Sequence, residues 1–172
     1  MDADTFLNTI IRPHTDVLAD ARFWSGEALA ILLVTAGQES RWRDRVQVGG
    51  PAHGFWQFER GGQVTNVLFN RVTRDLAARV CHACGVDPEP AHVYGALIEN
   101  DKLALGFARL AYWADPHPLP AIGDAVNSFH YYNRNWHPGA PDPARWLATY
   151  NAAAEAIHSL VSSASKPATT RA

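Results

Sequence analysis

The sequence predicts a mainly α-helical fold in which helices pack around one central buried helix. Residues Ala28 to Trp42 carry apolar side chains at nearly every position instead of along one stripe, the pattern of a helix enclosed on all sides. Elsewhere apolar residues recur at helical spacing, with no series of alternating strands and no internal repeat. The 172 residues fit one domain, assigned to 1–161, followed by a Ser/Ala/Thr-rich stretch at 162–172 that is expected to be a flexible tail.

Taken in order, Phe6, Leu7, Ile10, Ile11, Val17, Leu18 and Ala21 keep a helical spacing interrupted at Pro13, which predicts two short helices or one kinked helix. Ser25 is placed to cap the central helix, with Glu27 in the first turn, where the helix dipole favours negative charge. That helix should end near Trp42, because Gly49-Gly50-Pro51 cannot continue it. Residues 44–60 are glycine-punctuated yet rich in aromatics, so they are expected either to pack against the central helix or to make a small β-hairpin. Val64, Val67, Leu68, Val72, Leu76 and Val80 then predict one helical face. A long helical pattern over Ala91–Ala114 is stopped by Asp115-Pro116-His117-Pro118. Ile122, Val126 and Phe129 form a further stripe whose next position is Asn133, and Trp146, Tyr150, Ala153, Ile157 and Leu160 define the last helix.

Composition narrows the function classes. With 15 Lys and Arg against 17 Asp and Glu, the chain lacks the strong positive balance of a protein that binds nucleic acid by neutralising phosphates. No apolar run approaches the roughly 20 residues that cross a bilayer, so membrane insertion is not expected. The start, with Asp2 and Asp4, lacks the basic region and apolar core of a secretory signal, which predicts cytoplasmic synthesis. Cys81-His82-Ala83-Cys84 could be half of a zinc site, a redox pair or two semi-buried residues at a helix end. Only scattered histidines, His92 nearest, could complete four zinc ligands, so the last reading is preferred and neither metal nor cofactor is expected.

The chemistry-bearing candidates begin with Glu39. A carboxyl delivered by an apolar helix, close to its negative C-terminal pole, is pushed toward its protonated form and suits a general acid. The competing reading is a solvated last-turn residue paired with Arg43, one turn on. The acid role therefore requires Arg41, Arg43 and Arg45 to point elsewhere. In Gly54-Phe55-Trp56-Gln57-Phe58 an amide sits between aromatics in a glycine-bounded loop, a surface suited to sugar rings, although the aromatics could simply close the core. Tyr132 and Asn133 are similarly double-valued, with Asn133 on an apolar stripe where its amide needs partners. For Trp113, Trp136 and Trp146 the core reading is preferred to a sugar platform.

Glu39-Ser40, then Gly54-Phe55-Trp56-Gln57, then Tyr132-Asn133 resemble, in that order, the motifs of the lysozyme-like lytic transglycosylases, over roughly residues 28–150. The resemblance implies a lysozyme-like fold and cleavage of the β-1,4 MurNAc-GlcNAc bond of peptidoglycan, giving 1,6-anhydro-MurNAc ends. It makes Glu39 the single acid and base, with Ser40 and Gln57 holding the sugar and its N-acetyl group and Tyr132 with Asn133 facing Glu39 across the groove, while Phe55 and Trp56 are expected to contact the glycan as aromatics of the glycine loop. The family usually has small or aliphatic residues where Phe55 and Trp56 stand, and Ala-Gly where Arg134-Asn135 follow, so the groove should differ in shape. Ordinary glycosidases use two carboxyl groups. A hydrolysing muramidase would take Glu59, or less readily Asp44, as its second carboxylate. A non-catalytic glycan-binding or virion part on the same scaffold is the alternative from another class. Glycan strands are the expected partner, together with other virion proteins if the chain is a virion component or phage lysin acting on the cell wall.

Overall fold

The computed structural model describes residues 1–164, and these form an all-α bundle. The opening segment is a succession of helical turns. α1 (Ala3–Phe6) runs into a wide turn at Leu7–Ile11 and a tight one at Arg12–Val17, the change falling between Ile11 and Arg12, with Pro13 in the first turn of the tight segment. α2 (Gly26–Ser40) is the central helix. The Ser25 hydroxyl accepts from Ala28 N, Glu27 lies in the first turn, and eleven of its fifteen residues are buried. It touches α1, α6 (Asp101–Trp113), α7 (Ala125–Trp136) and α8 (Pro143–Ala164). The helix ends where Arg41 and Trp42 turn left-handed (φ 58° and 54°), and the Trp42 indole folds back to donate to Leu33 O at 2.9 Å.

Gly37 makes the contact between α2 and α8 possible. A Cβ there would lie 2.4 Å from Thr149 Cγ2 and 2.5 Å from the Trp42 ring. Beneath α2 lies an aromatic core in which Phe6 meets Phe55 edge-on at 4.9 Å and Phe58 meets Trp136 at 5.5 Å.

Several sequence expectations need correction. Among the described residues 44–60 contain no strand, only isolated bridges from His53 to Val46 and to Phe58. The aromatics instead dock on the central helix, with the Trp56 indole donating to Leu32 O at 2.9 Å. The single face expected from Val64 to Val80 is two helices, α3 (Thr65–Phe69) and α4 (Arg74–Ala83). Asn70 breaks them in an extended conformation, its side chain accepts from Val72 N, and Val72 is left 46% exposed. Ala91–Ala114 likewise divides into α5 (Pro90–Ala96) and α6, because Asn100 caps a new start by accepting from Leu103 N. Val126, counted on the stripe of α7, is 67% exposed. α8 continues to Ala164, past the expected boundary at 161, so residues 162–164 are helical, and the remainder of the expected tail lies outside the described residues.

Cys81 and Cys84 are free thiols, the first buried and the second half-buried at the end of α4. Among the described residues no group of three or more His, Cys, Asp or Glu could hold a metal ion, and no helix is long and apolar enough to cross a membrane.

Candidate active site

A groove of about 720 Å³ lies over the C-terminal end of α2. Its walls are Gln38 and Glu39 from α2, Gln57 and Glu59 from the glycine loop, Gln63 and Asn66 just beyond, Tyr132, Asn135 and Trp136 from α7, and Arg145 from α8.

Glu39 is partly buried at the groove floor, and the Tyr132 hydroxyl donates to its Oε1. Burial dominates its electrostatics and pushes the carboxyl up to about 7, against the opposing pulls of the Tyr132 hydrogen bond and the Arg145 charge. Tyr132 is held for this contact by stacking on Trp146, with ring centroids 4.7 Å apart and planes at 25°. Burial first, and the Glu39 charge next, push its phenol far above the ordinary range, so it remains a donor.

The arginines following Glu39 are engaged elsewhere or exposed. Arg43 pairs with Asp44 at 3.0 Å, and Arg45 forms a two-pronged pair with Asp101 at 2.5 and 2.9 Å while its guanidinium lies 4.2 Å from the Phe55 ring. Arg41 is exposed and takes no ion pair among the described residues.

The glycine loop is built to present Gln57. Gly54 adopts φ +74°, and a Cβ there would lie 2.7 Å from Leu97 O. Gln57 is itself left-handed at φ 51°, an uncommon state for a residue with a side chain. Its Nε2 donates to Gly54 O at 2.8 Å and to Asp44 O at 3.2 Å, which fixes the amide and leaves Oε1 without a protein partner among the described residues.

Of the residues expected to contact a glycan, Gln57 and Tyr132 line the groove beside Glu39, and Glu59 lines it too. The others do not. Phe55 and Trp56 are 2% and 0% exposed and belong to the core. Ser40 is buried, and its hydroxyl donates back to Ala36 O at 2.8 Å along the helix. Asn133 lies outside the groove lining, with its Oδ1 buried and unpartnered. Asp44 is half-buried, and its carboxyl is held below the ordinary range chiefly by the hydrogen bond from Arg43.

The sequence reading missed Gln38, Gln63, Asn135 and Arg145. Gln38 carries a groove-lining amide whose Oε1 is buried without a partner, an acceptor in want of a donor. Its position directly before Glu39, on a helix otherwise apolar, was the available signal. Gln63 and Asn135 are committed to the protein, the first donating to Trp136 O and the second to Asp115 and Tyr131 O.

No protein-family model, curated protein or solved structure matches the chain. The groove brings together a carboxyl held near half-protonation, a phenol donor and the Gln57 amide oxygen in one polar cleft.

Proposed function

We propose that this protein cleaves the glycan backbone of peptidoglycan, acting as a lytic transglycosylase on the β-1,4 bond between MurNAc and GlcNAc. The observation that carries the reading is the Glu39 carboxyl in the groove, kept near half-protonated at neutral pH by burial and addressed by the Tyr132 hydroxyl. The ordered resemblance of Glu39-Ser40, the Gly54–Gln57 loop and Tyr132-Asn133 to lysozyme-like transglycosylases supports the same reaction. The arrangement of helices around one buried helix is compatible with a lysozyme-like fold.

In this mechanism protonated Glu39 gives its proton to the glycosidic oxygen, and the bond from that oxygen to C1 of MurNAc breaks, releasing the GlcNAc 4-hydroxyl. The Glu39 carboxylate then takes the proton of the MurNAc 6-hydroxyl, whose oxygen bonds to C1. The product is a 1,6-anhydro sugar, and the acid is regenerated. Tyr132 donates to the carboxylate between the two transfers. Gln57 Oε1 accepts from an amide or hydroxyl donor of the bound sugars. The substrate places the site of action at the cell wall, which suits a phage lysin or a virion component.

Glu59 favours a second reading, because it lines the same groove and is exposed. As a base activating water it would make the protein a hydrolysing muramidase. Mass analysis of fragments released from purified sacculi separates the two, anhydro-muropeptides for the first and reducing ends for the second. Retention on sacculi without released fragments would point instead to a non-catalytic glycan-binding part and overturn both.

A further inference from the structure

A second cavity, of about 310 Å³, lies among the end of α6, the loop after it and α7, and shares no lining residue with the groove. Arg109 of α6 lines it, although the residue is only 3% exposed. Charged side chains so deeply enclosed are almost always paired. Arg109 has no acidic partner among the described residues. Its Nε donates to Phe23 O at 2.5 Å, and its guanidinium lies 5.0 Å from the Trp113 ring. The Nη groups, with four of the five N–H bonds of the fork, find no protein acceptor among the described residues. They are not sealed in either, since the side-chain atoms buried without a partner there are Gln38 Oε1 and Asn133 Oδ1. The fork therefore opens into the cavity.

The acid that borders this space cannot serve as the missing counter-ion. Asp115 Oδ1 accepts from His117 N and stands 2.7 Å from His117 Nδ1, and Oδ2 accepts from Arg134 and from Asn135. Arg22 is likewise matched by Asp20 at 2.9 Å. One positive charge remains uncompensated. A planar guanidinium edge matches a carboxylate through two parallel hydrogen bonds, and Trp113, Tyr112 and Leu119 offer an apolar wall beside it. We propose that this cavity binds a small organic carboxylate, its two oxygens on the Arg109 fork and its apolar body against Trp113 and Leu119. The site is independent of the glycan-cleaving reading.

Titrating the full chain with benzoate, while following the Trp113 indole and Arg109 Nε–H resonances by NMR, tests the assignment. Benzoate should shift both saturably, and neutral benzamide should bind at least about tenfold more weakly. Arg109→Met should remove binding. If that variant does not fold, Leu119→Trp, which fills the cavity and leaves Arg109 in place, should weaken benzoate by at least about tenfold. Absence of a saturable shift, equal binding of benzamide, or undiminished binding by both variants would overturn the proposal. Inorganic phosphate binding as tightly as benzoate would overturn the carboxylate assignment in favour of a general anion site.

Discussion

Replacing Glu39 with Gln preserves the shape of the side chain and keeps an oxygen that can accept from Tyr132, while abolishing the titration. The wild-type carboxyl rises from 4.5 to about 7 on folding, chiefly through burial. The folded chain thus binds this proton more tightly than the unfolded chain. The associated stability is fully present below the unfolded value and is lost as pH rises through the folded one. At about 1.4 kcal/mol per unit, the wild type should lose about 3 kcal/mol relative to Glu39→Gln between about pH 4.5 and about pH 8.5. Urea unfolding of both proteins across that range measures the difference directly, because other titrating groups cancel in the comparison. Parallel stability curves would mean that the carboxyl is not desolvated, and the acid assignment would fall with them. The same variant should release fragments from sacculi at a rate lower by at least about a hundredfold, and cleavage at the wild-type rate would also refute it.

Tyr132→Phe removes a hydrogen bond that favours the charged carboxylate. The Glu39 pKa should rise further, and the alkaline limb of the pH–rate profile for glycan cleavage should move to higher pH. Gly37→Ala places a methyl 2.4 Å from Thr149 Cγ2. It should destabilise the fold by about 1–3 kcal/mol in denaturant titration, with partial recovery on adding Thr149→Ser. Gly54→Ala should cost a similar amount, about 1–3 kcal/mol, through left-handed strain and the Leu97 carbonyl. Because the displaced loop carries Gln57, it should also raise KM for glycan more than it lowers kcat.

The buried helix was legible because nearly every position of α2 from Ala28 to Gly37 is apolar, and its Ser25 cap and first-turn Glu27 are local signals that tertiary contacts do not override. Glu39 and Tyr132 could be paired only through the family resemblance. They lie 93 residues apart, and nothing in helical spacing specifies that α7 crosses the end of α2. Apolar periodicity misled where a polar residue interrupts a continuous stripe. Asn70 and Asn100 each end one helix run and set up the next, and Asn100 followed by Asp101 was a readable capping signal. Phe55 and Trp56 show the opposite difficulty. Aromatics in a glycine-rich loop suit either a sugar platform or a plug, and their burial, with the Trp56 bond to Leu32 O, identifies the plug. Arg109 could not be singled out at all, since an arginine in an amphipathic helix is ordinarily solvated.

Consecutive residues on a helix project about 100° apart. On α7 this places Tyr131 against the Arg109 cavity and Tyr132 in the groove, while Asn135 in the groove wall donates to Asp115 in the cavity wall. The helix is a party wall between two chambers. One helix thus supplies a wall to each chamber, and a twist of α7 about its own axis would move residues of both walls at once.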